Sequence, residues 1–516
     1  MNAMFWGAVL RFLQALIQAT PTILVGLIVA GVLRRLLGHA GTRRLFGDNT
    51  WRSLPQAWLV GMLLPVCSLG VIPVLREMRR AGVSGGAILA FGLTAPLFNP
   101  ISVLYGLTLA DPIVILTFSF CSLVIVTVVG IAWDWMFPGT ATPSPEPPAA
   151  AMGAKRMLAI GVFAARELVG PSTIYVVVGL LGVAVLSLML PHGYLQTAAE
   201  PGDPWAPLFM TLVAIPAYAT PMTAMVQLAS MFQHGNSVGA AFSLLVLGAG
   251  ANVGLVAWMV RQYGLRHTAA LFVLLLAIVI GLAYGVDKPL YPQGVEPAGH
   301  THAFDIYCAP FQPEANAPMN MAFGQLKEKI APHEIVALLF AALLAIGGVA
   351  LRRWDREGRV EEWLERAPEP TEARRFDFVI PGPALGVAAL VGLLGMSVFG
   401  CYVYYPAPRE IFEEMKLVDT EVASAAATRD WDTAAYWIPI YDDWTRKLQV
   451  SMFLRGESLT PYRRMKADIL RDKLELLEHE IEDRDPVAAK KLGLEVTRAF
   501  SRLRQAYTTP PETASR

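Results

Sequence analysis

The chain has 516 residues, of which 54% are hydrophobic and 16% are charged, and its formal net charge is zero. Soluble domains carry about 25% charged residues, so this composition indicates an integral membrane protein. The zero net charge argues against nucleic-acid binding, which requires a basic surface. The four cysteines are scattered without Cys-x-x-Cys pairing, which predicts neither a disulfide framework nor a zinc ribbon.

Membrane-spanning helices need roughly 20 mainly apolar residues each. Stretches that meet this requirement lie at residues 15–37, 85–109, 112–137, 173–190, 238–260, 268–286, 333–351 and 379–405. The first residues lack a basic region followed by a small-residue cleavage site, so we expect no cleaved signal peptide. A linker rich in Pro and Ala, residues 138–155, separates the first part of the membrane region from the second.

Two further apolar segments, residues 55–81 and 204–232, are broken by proline. In the first, Pro65 and Pro73 each remove a backbone donor and Gly70 weakens the helix. Arginines bracket this segment, and each arm of about 11 residues reaches about 16 Å, half the hydrocarbon depth of about 30 Å. The sequence therefore predicts a re-entrant hairpin whose tip lies at residues 67–70.

The two halves of the membrane region resemble each other in the same order along the chain. The matched positions are Pro65 with Pro216, Gly82 with Gly235, Ser84 with Ser237 and Asn99 with Asn252. Lys and Arg concentrate in cytoplasmic loops, and their distribution orients the second half opposite to the first. The halves are therefore predicted to be inverted repeats, an architecture typical of secondary transporters.

The predicted fold is an all-α polytopic membrane protein with two inverted repeats that carry re-entrant hairpins. Two additional transmembrane helices and a soluble C-terminal helical bundle follow the repeats. The predicted boundaries are 1–137 for repeat 1, 156–287 for repeat 2, 288–332 for an extracytoplasmic loop, 333–405 for the additional helices and 406–516 for the soluble domain. We expect a multi-pass protein of the bacterial inner membrane whose C-terminal domain is periplasmic.

The stretch "LPVCSLGVIPVLREMRRAGVSGGAILAFGLTAPLFNPIS" (residues 64–102) resembles the signature of the ArsP/YraQ-type predicted permease family, the organoarsenical permease-like proteins. The resemblance extends over about residues 15–286. It implies an inner-membrane permease, with relatives that export trivalent organoarsenicals. The family commonly has Cys-x-Cys-Gly where this chain has Cys67-Ser68-Leu69-Gly70, so the second thiol of the family pattern is missing here.

The broken segments and the spans that follow them supply the candidate residues of a substrate path. These residues are Pro65, Cys67, Ser68, Gly70, Pro73, Thr94, Pro96, Asn99, Pro216, Tyr218, Thr220 and Asn252. Cys67 either binds a soft substrate or packs as a small hydrophobic residue. Asn99 and Asn252 either line the path or hydrogen-bond one hairpin to its neighbour, because a buried amide needs a partner.

The predicted extracytoplasmic loop contains His300, His302, Asp305 and Cys308, which have the ligand chemistry for a divalent metal such as zinc. Their spacing matches no established signature, so a solvated loop with incidental histidines is the alternative. We expect no other cofactor. The C-terminal residues 406–516 contain no nucleotide-binding or hydrolase motif.

The function that these patterns favour is a secondary permease, in the direction of efflux, for a small metalloid, organoarsenical or other thiophilic solute, and not an enzyme. One alternative is a membrane thiol or redox protein centred on Cys67, although such chemistry normally needs a second, resolving cysteine. The other is a receptor or scaffold that uses the C-terminal bundle. The expected partners are the lipid bilayer, a small-molecule or ionic substrate, and a second copy or a periplasmic protein bound through 406–516.

Overall fold

In the computed structural model, the described residues are 2–109, 112–138, 144–145, 153–191, 194–197, 199–200, 202–292, 302–311, 317–366 and 380–508. All of their regular structure is helical, and no strand occurs among them. The chain divides into two compact units. One unit contains Met1–Gly106 and Pro112–Ser397, and the other contains Leu107–Asp111 and Val398–Arg516.

The first half of the membrane region begins and ends with a long helix, and shorter helices lie between them. These elements are α1 (Asn2–Val32), a π-helical segment (Leu33–Leu37), α2 (Gly38–Leu45), α3 (Ser53–Leu63), α4 (Val71–Arg80), α5 (Gly85–Thr94), α6 (Pro100–Leu109) and α7 (Pro112–Met136). The predicted span at 15–37 is thus the middle of a helical stretch that begins at Asn2, with Pro21 inside it.

The second half begins with two shorter helices in place of the one long helix of the first half. Its elements are α8 (Ala154–Leu168), α9 (Thr173–Met189), α10 (Tyr194–Thr197), α11 (Ala206–Ala214), α12 (Pro221–Gln233), α13 (Val238–Ser243), a π-helical segment (Leu244–Ala249), α14 (Val253–Tyr263) and α15 (Leu265–Asp287). A 3₁₀ turn (His302–Tyr307), α16 (Pro318–Lys329), α17 (Pro332–Trp354), α18 (Arg359–Glu365) and α19 (Gly382–Tyr404) follow.

Five described helical stretches are long and apolar enough to cross a membrane. They are Asn2–Leu45, Pro112–Met136, Leu265–Asp287, Pro332–Trp354 and Gly382–Tyr404. Two further pairs, Ala154–Leu168 with Thr173–Met189 and Val238–Ala249 with Val253–Tyr263, bend by 54° and 55° at a short break. The prediction of an all-helical, multi-pass membrane protein is confirmed.

Two of the predicted spans, residues 85–109 and 238–260, are wrong as single helices, because each is interrupted. Residues 95–99 separate α5 from α6, and residues 250–252 separate the π-helical segment from α14. In the first case Pro96 and Pro100 lack the backbone N–H that a continuous helix needs. In each half, a continuous apolar run predicts one helix where the structure has two helical segments.

The segment that contains α3 and α4 begins and ends at the same place. Asn49 Nδ2 donates to the carbonyl oxygen of Gly82 at 2.9 Å, and its Oδ1 accepts from the backbone N–H of Ser84 at 2.7 Å. Arg43 Nη1 donates to the carbonyl oxygen of Ala81 at 3.0 Å. Because residues before α3 bond to residues after α4, the two helices and the break between them form a hairpin, hairpin 1.

The segment that contains α11 and α12 closes in the same way. The backbone N–H of Ser237 donates to the carbonyl oxygen of Ala199 at 2.9 Å, and Asn236 Nδ2 donates to the same oxygen at 3.4 Å. The Tyr291 hydroxyl donates to the carbonyl oxygen of Gly235 at 2.9 Å. The first two bonds join the two ends of hairpin 2, and the third fixes its second end to the residues that follow α15.

Ion pairs tie the base of hairpin 1 to neighbouring helices. Arg76 Nη1 donates to both carboxylate oxygens of Glu167 in α8, at 2.7 and 2.8 Å. Glu77 accepts from Arg80 at 2.5 Å and from Arg34 at 3.5 Å. Both glutamates are almost fully buried, so these partners supply the compensation that a buried charge requires.

The C-terminal unit contains a bundle of four helices, α20 (Pro408–Thr428), α21 (Trp431–Leu454), α22 (Pro461–Glu482) and α23 (Pro486–Thr508). Each helix packs against the next, and α23 packs against α20. Asp419 lies within the apolar core, where the Tyr441 and Thr497 hydroxyls donate to its Oδ1 at 3.1 and 3.3 Å. Burial raises the pKa of the Asp419 carboxyl, and the two hydrogen bonds offset part of that rise.

Candidate functional site

The tip of hairpin 1 is a short turn between α3 and α4. Within it, the backbone N–H of Gly70 donates to Cys67 Sγ at 3.3 Å, and the N–H of Val71 donates to the Cys67 carbonyl at 2.8 Å. Cys67 is completely buried. Its thiol therefore helps to satisfy a backbone group that the helix break would otherwise leave unpaired.

The tip of hairpin 2 occupies the break between α11 and α12. Thr220 caps α12, because its side chain accepts from the backbone N–H of Thr223 at 3.2 Å. The two hydroxyl oxygens also lie 2.8 Å apart. Tyr218, two residues earlier, is 3% exposed, so the tip places a phenol inside the protein.

The two tips meet. Cys67 and Tyr218 belong to one buried cluster with residues of the long helices α1 and α9, which are Ala15, Ala19, Ile23, Leu27, Leu180 and Val183. The Tyr218 hydroxyl approaches the Cys67 thiol and the Thr22 hydroxyl, at a geometry that falls short of a hydrogen bond. The structure thus brings together two predicted site residues from opposite halves of the chain.

Glycines allow each tip to touch the backbone of a long helix. A Cβ on Gly26 would lie 1.9 Å from the carbonyl oxygen of Gly70, and a Cβ on Gly70 would lie 2.5 Å from the carbonyl oxygen of Thr22. In the second half, a Cβ on Gly182 would lie 2.8 Å from the carbonyl oxygen of Pro216. Real Cβ atoms essentially never come this close, so the contacts require glycine.

Asn99 and Asn252 cap the second helix of each broken span. Asn99 Oδ1 accepts from the backbone N–H of Ser102 at 2.8 Å, and the Ser102 hydroxyl accepts from the N–H of Asn99 at 2.8 Å. Asn252 Oδ1 accepts from the N–H of Leu255 at 3.0 Å. Both asparagines are buried. The hydrogen bonds described here lie within the helix that each asparagine caps, whereas a role in the substrate path stays a prediction.

The remaining predicted residues lie in or beside the breaks. Pro65 and Pro216 lie in the two hairpin tips, and Pro96 lies between α5 and α6. Pro73 lies in the first turn of α4. Thr94, the last residue of α5, donates its hydroxyl to the Ala90 carbonyl at 2.7 Å, which satisfies it within its own helix.

Among the residues that the structure describes, three buried polar atoms at this centre have no hydrogen-bond partner. They are Ser68 Oγ, the Tyr218 hydroxyl oxygen and Asn252 Nδ2. Asn252 and the tip residue Leu69 both lie against Gly179 of α9, so the amide belongs to the same region as the tips. Leaving a buried polar group unpaired costs about 1–3 kcal/mol, so these three atoms are the groups of this region that a bound ligand would stabilise most.

Two aspartates at equivalent positions of the two halves are not among the predicted site residues. Asp134, near the end of α7, accepts from the backbone N–H of Gly86 at 2.8 Å. Asp287, at the end of α15, accepts from the N–H of Gly239 and from the Ser237 hydroxyl, each at 2.8 Å. Each carboxylate stabilises the first turn of the helix that follows a hairpin. The sequence does contain a pattern that predicts this pair, because one acidic residue lies at the end of the third span in each half.

Most of the predicted metal-binding side chains lie outside the described residues. His300 and the side chains of His302 and Asp305 are not described. Cys308 is buried, and its carbonyl oxygen accepts from Arg11 Nε at 3.2 Å. Among the side chains that are described, no group of three or more His, Cys, Asp or Glu could hold a metal ion. The metal site stays a prediction.

The same loop packs against the second half. Phe304 and Tyr307 of its 3₁₀ turn are buried, and the Tyr307 hydroxyl donates to Gln227 Oε1 of α12 at 3.1 Å. The backbone N–H of Ala309 donates to the carbonyl oxygen of Leu190 at 3.0 Å. These contacts fix the loop to hairpin 2 and to the end of α9.

Long apolar helices and two broken hairpins whose tips meet define a polytopic membrane protein of the permease class. The family model described as "Predicted permease" matches residues 5–286. This match covers more than half of the chain, which therefore belongs to the predicted permease family.

Two curated relatives are similar over short stretches. One is the UPF0718 protein YcgR of Bacillus subtilis, 37% identical over 90 residues, which are 17% of this chain and 31% of the relative. The other is a "Putative two-component membrane permease complex subunit" of Streptococcus mutans, 29% identical over 90 residues, which are 17% of this chain and 30% of the relative. The matched stretch thus spans about a third of each relative's length. No solved structure matches the chain.

Proposed function

We propose that this protein is a secondary permease that exports a small thiophilic solute along a path between the tips of hairpins 1 and 2. The observation that carries the proposal is the meeting of Cys67 and Tyr218, from opposite halves, in one buried cluster. Secondary transporters bind their substrates near the bilayer midplane, where discontinuous helices of two repeats face each other.

The hydrogen bonds at the bases of the hairpins support inverted repeats. These bonds connect the start of each hairpin to its end, so each hairpin enters and leaves the membrane on the same side. The base of hairpin 1 is rich in arginine, whereas residues 191–240, which contain hairpin 2, include no Lys or Arg. Because positive residues favour the cytoplasmic side, hairpin 1 is re-entrant from the cytoplasm and hairpin 2 from the outside.

The burial of the tips supports an alternating-access cycle. Cys67, Ser68 and Asn252 are all 0% exposed, so a solute reaches them only when the hairpins move relative to α1 and α9. Binding of the solute then pairs the unsatisfied groups of Ser68, Tyr218 and Asn252, which lowers their desolvation cost.

The chemistry of the tips limits the class of solute. The tip sequences "LPVCSLG" and "IPAYAT" contain no charged residue, and a buried ion without a counter-charge is strongly destabilised. One soft thiol surrounded by neutral hydroxyl and amide groups suits an uncharged, thiophilic solute such as a trivalent organoarsenical. Because the site has one thiol, we expect it to bind an arsenical more weakly than a site with two thiols would.

The test is uptake into inside-out vesicles of a panel that contains trivalent organoarsenicals, divalent metals and sulfur oxyanions. We expect Cys67→Ala to abolish uptake of the transported solute at unchanged expression, and to cost about 1–3 kcal/mol of stability because it leaves the Gly70 N–H without its acceptor. Cys67→Ser, which keeps an acceptor oxygen for that N–H, should also abolish uptake while thermal stability changes little. Cys121→Ala, which truncates another buried cysteine in α7, is the matched control and should retain uptake. Wild-type uptake in the Cys67 variant would remove this thiol from the path.

With the proposed membrane topology, residues 406–516 form a soluble domain in the periplasm. None of α20–α23 is among the described helices apolar enough to span a membrane, and α17 and α19 provide two crossings after the repeats. An alkaline phosphatase fusion after residue 516 should be active, and a green fluorescent protein fusion there should be dark. The reverse pattern would place the domain in the cytoplasm and overturn the orientation of both repeats.

We further propose that the protein acts as a transporter and not as an enzyme. All four cysteines are free thiols, and the group that faces Cys67 is the phenol of Tyr218. A thiol–disulfide reaction needs a second thiol within reach. This contact therefore favours substrate binding over the redox alternative.

A further inference from the structure

One end of the C-terminal bundle is held against the end of α19, which is long and apolar enough to cross a membrane. Only residues 405–407 separate α19 from α20. The Tyr402 hydroxyl donates to the carbonyl oxygen of Leu454, the last residue of α21, at 3.2 Å. The Ser451 hydroxyl donates to the carbonyl oxygen of Pro406 at 2.5 Å. These contacts keep the start of α20 and the end of α21 at the point where α19 leaves the membrane.

The start of α22 and the end of α23 lie at this same end of the bundle. Arg463, in the first turn of α22, is buried. Its Nε donates to the carbonyl oxygen of Ala506 at 3.2 Å, and its Nη1 donates to that of Ser458, in the loop after α21, at 2.8 Å. This arginine thus ties the loop to the last turn of α23. We call residues 455–466 and 498–508 the near end of the bundle.

The near end is basic, whereas the far end of α22 is acidic. The near end contains seven Lys or Arg and one acidic residue, Glu457, whereas residues 472–485 contain seven acidic residues and two Lys or Arg. Apart from the buried Arg463, the basic residues of the near end are exposed or partly exposed, and they are Arg455, Arg464, Lys466, Arg498, Arg502 and Arg504. The start of α20 carries acidic residues at 410, 413 and 414, so the excess of positive charge belongs to α22 and α23.

The near end also exposes large apolar side chains. Tyr462 and Met465 are each 44% exposed, and Phe453, at the end of α21, is 41% exposed. Lys466 Nζ lies 5.0 Å from the centre of the Tyr462 ring. Aromatic and apolar side chains beside Lys and Arg are typical of surfaces that lie at the boundary between lipid headgroups and water. Long basic side chains reach phosphate groups there, while the apolar groups contact the upper part of the acyl chains.

We propose that the bundle stands on its near end, which binds the headgroups of anionic phospholipids in the membrane that α19 crosses. Attraction between surface charges falls off within about 10 Å at 0.1 M salt, so basic residues held at the membrane surface lie within range of those headgroups. The 22 residues of α22 extend over about 33 Å, which keeps its acidic end outside that range. The inference requires that α19 spans the membrane and does not depend on the transported solute.

Fluorescence quenching in the full-length protein, reconstituted in vesicles of equal parts phosphatidylcholine and phosphatidylglycerol, tests this proposal. A fluorophore is attached to the cysteine in Tyr462→Cys, since the native cysteines are all buried. The quencher is a nitroxide near the top of an acyl chain, carried by a small amount of either lipid. We expect quenching by the phosphatidylglycerol probe to be about threefold stronger, because each exposed cation favours an anionic headgroup. A fluorophore on Val487→Cys, at the far end and 77% exposed, should be quenched by neither lipid.

Two pairs of exposed cations on α23 distinguish the near end from the charge of the bundle as a whole. Arg502→Gln with Arg504→Gln, in the Tyr462→Cys chain, should remove most of the preference for phosphatidylglycerol. Lys490→Gln with Lys491→Gln, at the far end of the same helix, is the matched control and should preserve it. Thermal unfolding of both double variants should match the parent. Equal losses of the preference in the two double variants would overturn the assignment to the near end.

The two fluorophore positions also test the partner and the orientation of the bundle. Equal quenching by both lipids at Tyr462→Cys would show that the near end lies at the membrane without selecting its headgroups, and would overturn the proposal. No quenching there by either lipid, as expected if a second copy or another subunit covers the near end, would overturn the choice of the lipid surface. Stronger quenching at Val487→Cys than at Tyr462→Cys would show that the bundle does not stand on its near end.

Discussion

Hairpins 1 and 2 use the same backbone devices but place different side chains at their tips. Both close at the base by hydrogen bonds, both touch a long helix through a glycine, and both precede a broken span with an asparagine cap. Hairpin 1 then presents Cys67, whereas hairpin 2 presents Tyr218. Both halves must satisfy broken backbone in an apolar environment, which demands the same solution twice. The thiol, by contrast, occurs in one tip only.

The largest expected difference between the halves lies in the glycine contacts. Gly26→Ala should destabilise the protein by about 3 kcal/mol or more, because overpacking against rigid backbone forces the helix and tip apart. Gly182→Ala should cost about 1–2 kcal/mol, since its added Cβ would lie 2.8 Å from the opposing oxygen, compared with 1.9 Å at Gly26. Thermal unfolding in detergent measures both values.

Gly281→Ala in α15 is the control for the glycine variants. Nothing lies within 4 Å of its added Cβ, so this change should be neutral or stabilise by up to about 1 kcal/mol. Equal losses in the Gly26 and Gly182 variants would show that the two tips approach their helices equally closely.

The aspartates missed in the sequence give the second comparison. Asp287→Ala removes two hydrogen bonds of 2.8 Å and should cost about 2 kcal/mol, whereas Asp134→Ala removes one and should cost about 1 kcal/mol. Asp287→Asn and Asp134→Asn keep an acceptor oxygen and should recover most of the loss. Chemical or thermal unfolding of the four variants decides the ranking. A larger loss at Asp134 would contradict the difference in hydrogen bonding between the halves.

The sequence predicted the hairpins but not how their parts meet. Pro65 and the bracketing arginines predicted that the chain turns back, and the bonds of Asn49 join its ends. The break between α5 and α6 was missed because an apolar run hides a short turn, although Pro96 and Pro100 marked it. Cys67 and Tyr218 were each predicted site residues. Their contact depends on packing between halves far apart in the chain, which local patterns do not encode.

The difference between the tips predicts how a second thiol would act. Tyr218→Cys places a thiol opposite Cys67, and trivalent arsenic is held better by two thiolates than by one. We expect about tenfold tighter binding of a trivalent organoarsenical, or about 1.4 kcal/mol, measured by protection of the thiols from maleimide. Thr220→Cys adds a thiol to the same tip at a residue that contacts Thr223 instead and should give no such gain. Equal gains from both variants would mean that Tyr218 does not face Cys67.

The last comparison concerns the asparagine caps, and it separates stability from transport. Asn252→Ala should cost about 1–2 kcal/mol, whereas Asn99→Ala should cost about 0.5–1 kcal/mol, because the Ser102 hydroxyl still accepts from the N–H of residue 99. Asn99→Ser and Asn252→Ser keep a capping oxygen, so both should restore stability. Asn252 Nδ2 is unpaired, so we expect Asn252→Ser to remain impaired in vesicle uptake while Asn99→Ser transports normally. Full uptake in both serine variants would show that each asparagine only caps its helix. The second half would then contribute to the substrate path through Tyr218 and not through the Asn252 amide.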